Sequence, residues 1–123
     1  MIKVTINGAS GKMGTKVSNL IKNDSSLVEC FDDISCSDLV IDFSQPSSTK
    51  TILKKCVAAK KPIIIGTTGF TNDDLNEIRE AANLIPIVLA ANMSRGMIYL
   101  KKSLASFIHH NQDKLRCFIE ETH

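Results

Sequence analysis

Three glycines at three-residue spacing, Gly8, Gly11 and Gly14, define the segment Gly8-Ala9-Ser10-Gly11-Lys12-Met13-Gly14, a GxxGxxG variant of the GxGxxG phosphate-binding pattern. Glycines so placed allow a tight turn, let backbone N–H groups approach a pyrophosphate and let a following helix pack closely on the preceding strand. The N-terminus of that helix favours the negative charge of the ligand. Lys12 adds a cation within reach of a phosphate, although a lysine near a helix start is more often simply solvated. A second loop, Gly66-Thr67-Thr68-Gly69, offers two hydroxyls and backbone N–H groups suited to a ribose or a carboxamide; the same residues also suit a turn with a helix N-cap. In Ala91-Asn92-Met93-Ser94-Arg95-Gly96 an amide and a hydroxyl form a third polar loop, where Asn92 is equally able to close the turn on its own backbone.

Other chemistries find little support. Cys30, Cys36, Cys56 and Cys117 are widely separated, with no CxxC and no histidine at ligand spacing, so no metal site is expected. Cys56 falls on the apolar side of a helical pattern and Cys117 among strand residues, where cysteine behaves as a small buried hydrophobe. His109-His110 ends an amphipathic helix, where histidine favours the helix dipole, and is read as a solvated helix end.

The elements that position these loops follow from periodicity. Ile2, Val4 and Ile6 alternate with Lys3, Thr5 and Asn7 as a strand, and the glycine segment then leads into a helix over 15–22 with Val17, Leu20 and Ile21 at helical spacing. A short strand is expected at 27–30, and Leu39-Val40-Ile41-Asp42-Phe43 reads as one covered on both faces. Gln45-Pro46-Ser47-Ser48 opens a helix with Ile52, Leu53, Cys56 and Val57 on its buried face, ended before Pro62. Ile63-Ile64-Ile65 is a further buried strand. It precedes a helix capped at Thr71 or Asn72, with Asp73 and Asp74 in its first turn and Leu75, Ile78 and Ala82 facing inward. Residues 86–90 form another strand, Leu100, Leu104, Phe107 and Ile108 mark a long amphipathic helix, and a last strand runs over 116–120. Strands alternating with helices, and no hairpin signal, indicate an α/β, doubly wound parallel sheet of Rossmann type. Ligands bind outside the carboxyl ends of such strands, just after residues 7, 43, 66 and 90, where the unusual segments lie.

At 123 residues and 43% hydrophobic the chain suits one folded unit, residues 1–123. Fifteen basic and 13 acidic residues leave a charge of +2, which indicates neither a nucleic-acid stripe nor an anionic-membrane patch; a small partner is expected. Met1-Ile2-Lys3 leads straight into a strand with no signal peptide, and no apolar run reaches the roughly 18 residues of a membrane span. The expected location is a reducing cytoplasm.

Taken together, the loops resemble dihydrodipicolinate reductase, which reduces a cyclic dicarboxylic imine derivative in lysine and diaminopimelate biosynthesis with NADH or NADPH. The matching segments are Gly8 to Gly14, Val40-Ile41-Asp42-Phe43-Ser44-Gln45-Pro46 with Thr49, Ile65-Gly66-Thr67-Thr68-Gly69-Phe70, and Ala90-Ala91-Asn92-Met93-Ser94 with Gly96. The resemblance implies that Gly8, Ser10, Gly11, Lys12, Met13 and Gly14 hold the pyrophosphate and that Phe43 and Ser44 line the adenosine side. It also implies that Gly66, Thr67, Thr68, Ala90, Ala91, Asn92 and Met93 border the nicotinamide. Hydride transfer would then rely on the protein for geometry and charge.

Three departures accompany the match. Met93 stands where the family has an aromatic residue. The stretch from Ile21 to Leu39 is short, so the acidic residue that binds the adenosine ribose is hard to place; Glu29 is the candidate, with a plain strand-edge carboxylate slightly favoured. The family signature Glu-x-His-His-x-x-Lys begins at Glu121, with His123 as its first histidine and proposed acid, and the rest of the signature and the substrate domain are not in these residues. The chain is thus expected to supply the cofactor-binding half of the reductase, to be inactive alone, and to belong to a full-length homotetramer acting on a small dicarboxylate. The alternative is a stand-alone dinucleotide-binding module without turnover.

Overall fold

The computed structural model describes residues 1–31, 33–111, 113, 114, 116, 118 and 120. Contacts divide the chain into two units, Met1–Ala91 and Asn92–His123. In the first, β1 (Ile2–Asn7), α1 (Lys12–Lys22), β2 (Leu27–Glu29), a 3₁₀ turn (Ile34–Cys36), β3 (Leu39–Asp42), α2 (Pro46–Ala59), β4 (Ile63–Ile65), α3 (Asn72–Ala81) and β5 (Ile87–Leu89) follow in order. All pairings are parallel, in the order β2-β1-β3-β4-β5. Winding runs outward from β1 to β2, crosses back to β3 and proceeds through β4 to β5. Direction therefore reverses between β1 and β3, the switch point where open parallel sheets bind ligands.

Register explains the two cores. Ile6 pairs with Ile41, and Val4 and Ile6 pack with Ile21 of α1, with Val17, Leu27 and Ile41 against them. Val40 pairs with Ile63, and these residues with Ile65 bury the inner faces of α2 (Leu53, Cys56) and α3 (Ile78, Ala81). One face of the sheet thus carries α1 and the other α2 and α3, as alternation of side chains along a strand requires.

Several boundaries differ from the sequence expectation. Helix α1 begins at Lys12, three residues before 15, because Gly11 takes the N-cap position with φ −75° and ψ 171°. Its inner face is Val17 and Ile21, one turn apart, while Leu20 is 70% exposed; adjacent helical positions diverge by about 100°, so Leu20 cannot share the stripe. In α3 the buried residues are Asp74, Ile78 and Ala81, with Leu75 half-buried and Ala82 exposed, because Asp74 is drawn inward by the cap and by Lys50. Thr71 forms a capping box with Asp74: the Asp74 N–H donates to the Thr71 hydroxyl at 3.2 Å and the Thr71 N–H to the carboxylate at 2.9 Å. Helix α2 ends where Lys60 turns left-handed, φ 53°, before Pro62.

The second unit contains α4 (Arg95–Asn111), none of whose residues is buried, with His109 and His110 exposed in its last turn. The expected strand over 116–120 includes Cys117 and Ile119, and with Glu121, Thr122 and His123 these lie outside the described residues. Among the described residues no helix is long and apolar enough to cross a membrane.

Candidate nucleotide-binding edge

The loop after β1 turns at Gly8, whose φ of +85° is one that L side chains rarely adopt. A Cβ there would also meet the Phe43 carbonyl oxygen at 2.5 Å, so the loops after β1 and β3 touch backbone to backbone at this glycine. Gly14, buried in the first turn of α1, lies so close to the Gly8 carbonyl and Ala9 that a side chain would overlap them. Two of the three glycines are therefore demanded by the protein's own packing.

Gly11 is different. Its backbone is ordinary extended chain, and a Cβ there would come no nearer than 3.4 Å to the Gly8 carbonyl. No side chain caps α1, and its first turn carries no acidic residue. Its leading N–H groups, with the exposed Lys12, thus form a positive and sterically open site beside the turn. An anion fits this cradle. Ser10 and Met13 are exposed around it.

The neighbouring loops are joined by one residue that the sequence reading gave no role. Asp42, the last residue of β3, is fully buried. Its Oδ1 accepts from Asn7 Nδ2 at 2.8 Å and the Ser44 hydroxyl at 2.5 Å; its Oδ2 accepts from the Thr49 hydroxyl at 2.5 Å and the Thr67 hydroxyl at 2.9 Å. The Thr67 oxygen in turn accepts the Ser44 N–H at 3.0 Å. Asn7 Nδ2 also lies 3.0 Å from the Ser44 and Ser48 hydroxyls. One carboxylate therefore ties together the end of β1, the loop after β3, the first turn of α2 and the loop after β4. A buried charge demands such partners, which is the signal an aspartate in the apolar run 39–43 carried.

Phe43 and Gly66 meet at the same edge: a Cβ on Gly66 would overlap the Phe43 ring, and the Gly66 N–H donates to the Asp42 carbonyl at 2.8 Å. The side chains of Ser44 and Thr67 are committed to Asp42, so these residues present backbone to the edge, while Thr68 is exposed. Ala90 follows β5 with its N–H on the Ile65 carbonyl at 3.0 Å, and Ala91 closes the first unit. Asn92 and Met93 belong to the second unit, where the Asn92 side chain accepts the Ser94 N–H at 2.8 Å and so closes its own turn.

Two carboxylates are placed elsewhere. Glu29 pairs in register with Val4, three residues short of the end of β1, or about 10 Å from the carboxyl edge. It is the last residue of β2, and it accepts the hydroxyl of Ser18 on α1 at 2.5 Å. Asp74 is held below the ordinary carboxylate range by the Lys50 ammonium and then by the Thr71 N–H, and Lys50 is raised by Asp74. On α2, burial and then the nearby Asp42 charge push the Cys56 thiol up to about 11, the state of an inert core thiol. Among the described residues no group of three or more His, Cys, Asp and Glu could hold a metal ion.

Comparison with known proteins places this architecture. Residues 24–93 match the family model described as dihydrodipicolinate reductase, N-terminus. Relatives named 4-hydroxy-tetrahydrodipicolinate reductase include those of Alkaliphilus oremlandii, 35% identical over 96% of this chain and 53% of the relative, and Campylobacter jejuni, 36% identical over 81% and 45%. Another, from Akkermansia muciniphila, is 38% identical over 79% of this chain and 43% of the relative. The chain thus spans about half the length of the curated relatives it matches. The solved dipicolinate-bound dihydrodipicolinate reductase of Paenisporosarcina sp. TG-14 shares the fold, with a TM-score of 0.68, 22% identity, and coverage of 88% of this chain and 53% of that one.

Proposed function

This chain belongs to the dihydrodipicolinate reductase family, and from that membership we propose that its sheet edge is the NADH- or NADPH-binding half of a reductase acting on a cyclic dicarboxylic imine, 4-hydroxy-tetrahydrodipicolinate. The observation that carries the reading is the coincidence, at the β1/β3 switch point, of an open glycine turn on an uncapped helix with loops locked by a single buried carboxylate. Such a site is preorganised: the hydrogen bonds that shape it are internal and need no ligand to form.

Bound there, the cofactor supplies a hydride. The chain's own part is positional. The first-turn N–H groups of α1 and Lys12 receive the pyrophosphate, with Gly8, Ser10, Gly11, Met13 and Gly14 giving backbone access. Phe43 and Ser44 border the adenosine side; Gly66, Thr67, Thr68, Ala90, Ala91, Asn92 and Met93 are assigned to the nicotinamide side. Met93 offers a polarizable thioether where the family has an aromatic ring, so its contact is by packing alone. His123 is assigned as the acid that protonates the reduced substrate. Capture of the dicarboxylate, and assembly into a homotetramer, are assigned to the half of the relatives that this chain does not match.

Calorimetric titration of the 123-residue chain with NADH and with NADPH tests the binding half of this reading. Saturable one-to-one binding of at least one is expected. With the imine substrate present, the chain alone is expected to leave NADH absorbance unchanged.

A further inference from the structure

The connection from β2 to β3 is pinned to β1 at both ends. At its start the Cys30 N–H donates to the Val4 carbonyl at 2.8 Å, and the Cys30 carbonyl accepts from the Thr5 hydroxyl at 3.4 Å. At its end the Asp38 N–H donates to the Lys3 carbonyl at 2.7 Å. Between them the Cys36 N–H closes the 3₁₀ turn on the Asp33 carbonyl at 3.0 Å, and the buried Ser37 returns its N–H and hydroxyl to the Ile34 carbonyl at 3.1 and 2.8 Å. This frame brings the Cys36 sulfur to 3.1 Å from the Cys30 sulfur, and both residues are half-buried rather than sealed.

We propose that Cys30 and Cys36 are a redox-active dithiol, which closes to an intrachain disulfide when a small-molecule disulfide such as oxidised glutathione is the oxidant. One protein thiolate attacks a glutathione sulfur, forms a mixed disulfide and releases one glutathione thiolate. The second protein thiolate then attacks the protein sulfur of that mixed disulfide and releases the second glutathione. Two protein thiols lose two protons and two electrons, and glutathione disulfide gains both as two thiols. The sulfurs need to approach by only about 1 Å to reach a bonding distance of about 2.05 Å. Oxidation would staple the end of β2 to the approach to β3. Cys56, buried in the α2 face of the core, is set apart from this chemistry and serves as an internal control.

The test is intact-mass and peptide analysis of the native chain after incubation with glutathione disulfide and acid quenching. The peptides of the wild type are expected to show Cys30 and Cys36 linked with the loss of two hydrogens and no glutathione on either, whatever Cys117 carries, and the link is expected to be reversed by dithiothreitol. C36S is expected to accumulate one glutathione on Cys30, and C30S one on Cys36, since the resolving thiol is gone. Circular dichroism of each variant, matching the wild type, separates this outcome from misfolding. The proposal is overturned if the wild type keeps glutathione on both cysteines, links between chains instead of within one, or fails to react while C36S and C30S behave as it does.

Discussion

Replacing Gly11 with aspartate separates the two uses of the glycine turn. A side chain there has room, and the backbone is already in the extended conformation of an N-cap residue. Aspartate is a slightly better cap than glycine, by a few tenths of a kcal/mol. A negative charge at this helix end adds about 0.3–1 kcal/mol. Gly11→Asp is therefore expected to leave stability unchanged or raise it by up to about 1 kcal/mol, read from the urea midpoint at constant slope. The same carboxylate occupies the N–H groups assigned to the pyrophosphate and places like charges about 4–5 Å apart, a repulsion of about 3–4 kcal/mol at an effective dielectric near 20. Affinity for NADH or NADPH is expected to fall at least about 100-fold, near 2.7 kcal/mol, by calorimetry. A stable Gly11→Asp chain binding within about threefold of wild type would refute the assignment of this helix end to the phosphates.

Further substitutions test the buried network at the edge and the helices packed behind it. Asp42→Asn removes the charge that the buried Thr49 and Thr67 hydroxyls donate to, and should cost about 2–4 kcal/mol in urea unfolding, since each bond to a charged group is worth about 1.5–3 kcal/mol; a loss under about 0.5 kcal/mol would mean the network is not needed. Gly14→Ala should destabilise the chain and weaken cofactor binding, because its Cβ overlaps the Gly8 carbonyl; an unchanged melting temperature would contradict that packing. Thr71→Ala should cost about 1 kcal/mol through loss of the capping box on α3, measured by thermal unfolding. The Lys50–Asp74 pair sets a pH dependence of known sign. Asp74, held low, contributes above the ordinary carboxylate range and loses its share as pH falls through its lowered value; Lys50, held high, contributes below its ordinary 10.5 and loses its share as pH rises through its raised value. The stability gap between wild type and Lys50→Met should therefore narrow at both extremes.

Much of the fold was legible because local pattern and tertiary role agree. Alternation in 2–7, apolar runs at 39–41 and 63–65, and a proline after Lys61 each report a physical need that neighbours cannot override. Glycines at 8 and 14 announced the turn because backbone conformation and backbone contact leave no alternative. The face of α1 was misjudged at Leu20 because spacing alone cannot say which of two adjacent apolar residues points inward. The role of Asp42 is not legible in the sequence: its donors sit 35, 2, 7 and 25 residues away, and the two distant ones reach it only through the parallel registers of β1 with β3 and of β3 with β4. The commitment of Ser44 and Thr67 hydroxyls to that carboxylate was hidden for the same reason. Glu29 shows the converse, a residue at a suggestive sequence distance that register places about 10 Å below the edge.

Binding of a nicotinamide dinucleotide by its pyrophosphate is the role proposed for the β1/β3 switch point. Calorimetric titration of the folded 123-residue chain with NADH and NADPH, repeated in the presence of excess ADP, is the deciding measurement. Saturable one-to-one binding of at least one dinucleotide is expected, displaced competitively by ADP, which carries the same adenosine and pyrophosphate. A folded chain that unfolds cooperatively yet takes up neither dinucleotide, or one whose binding ADP leaves untouched, would contradict it.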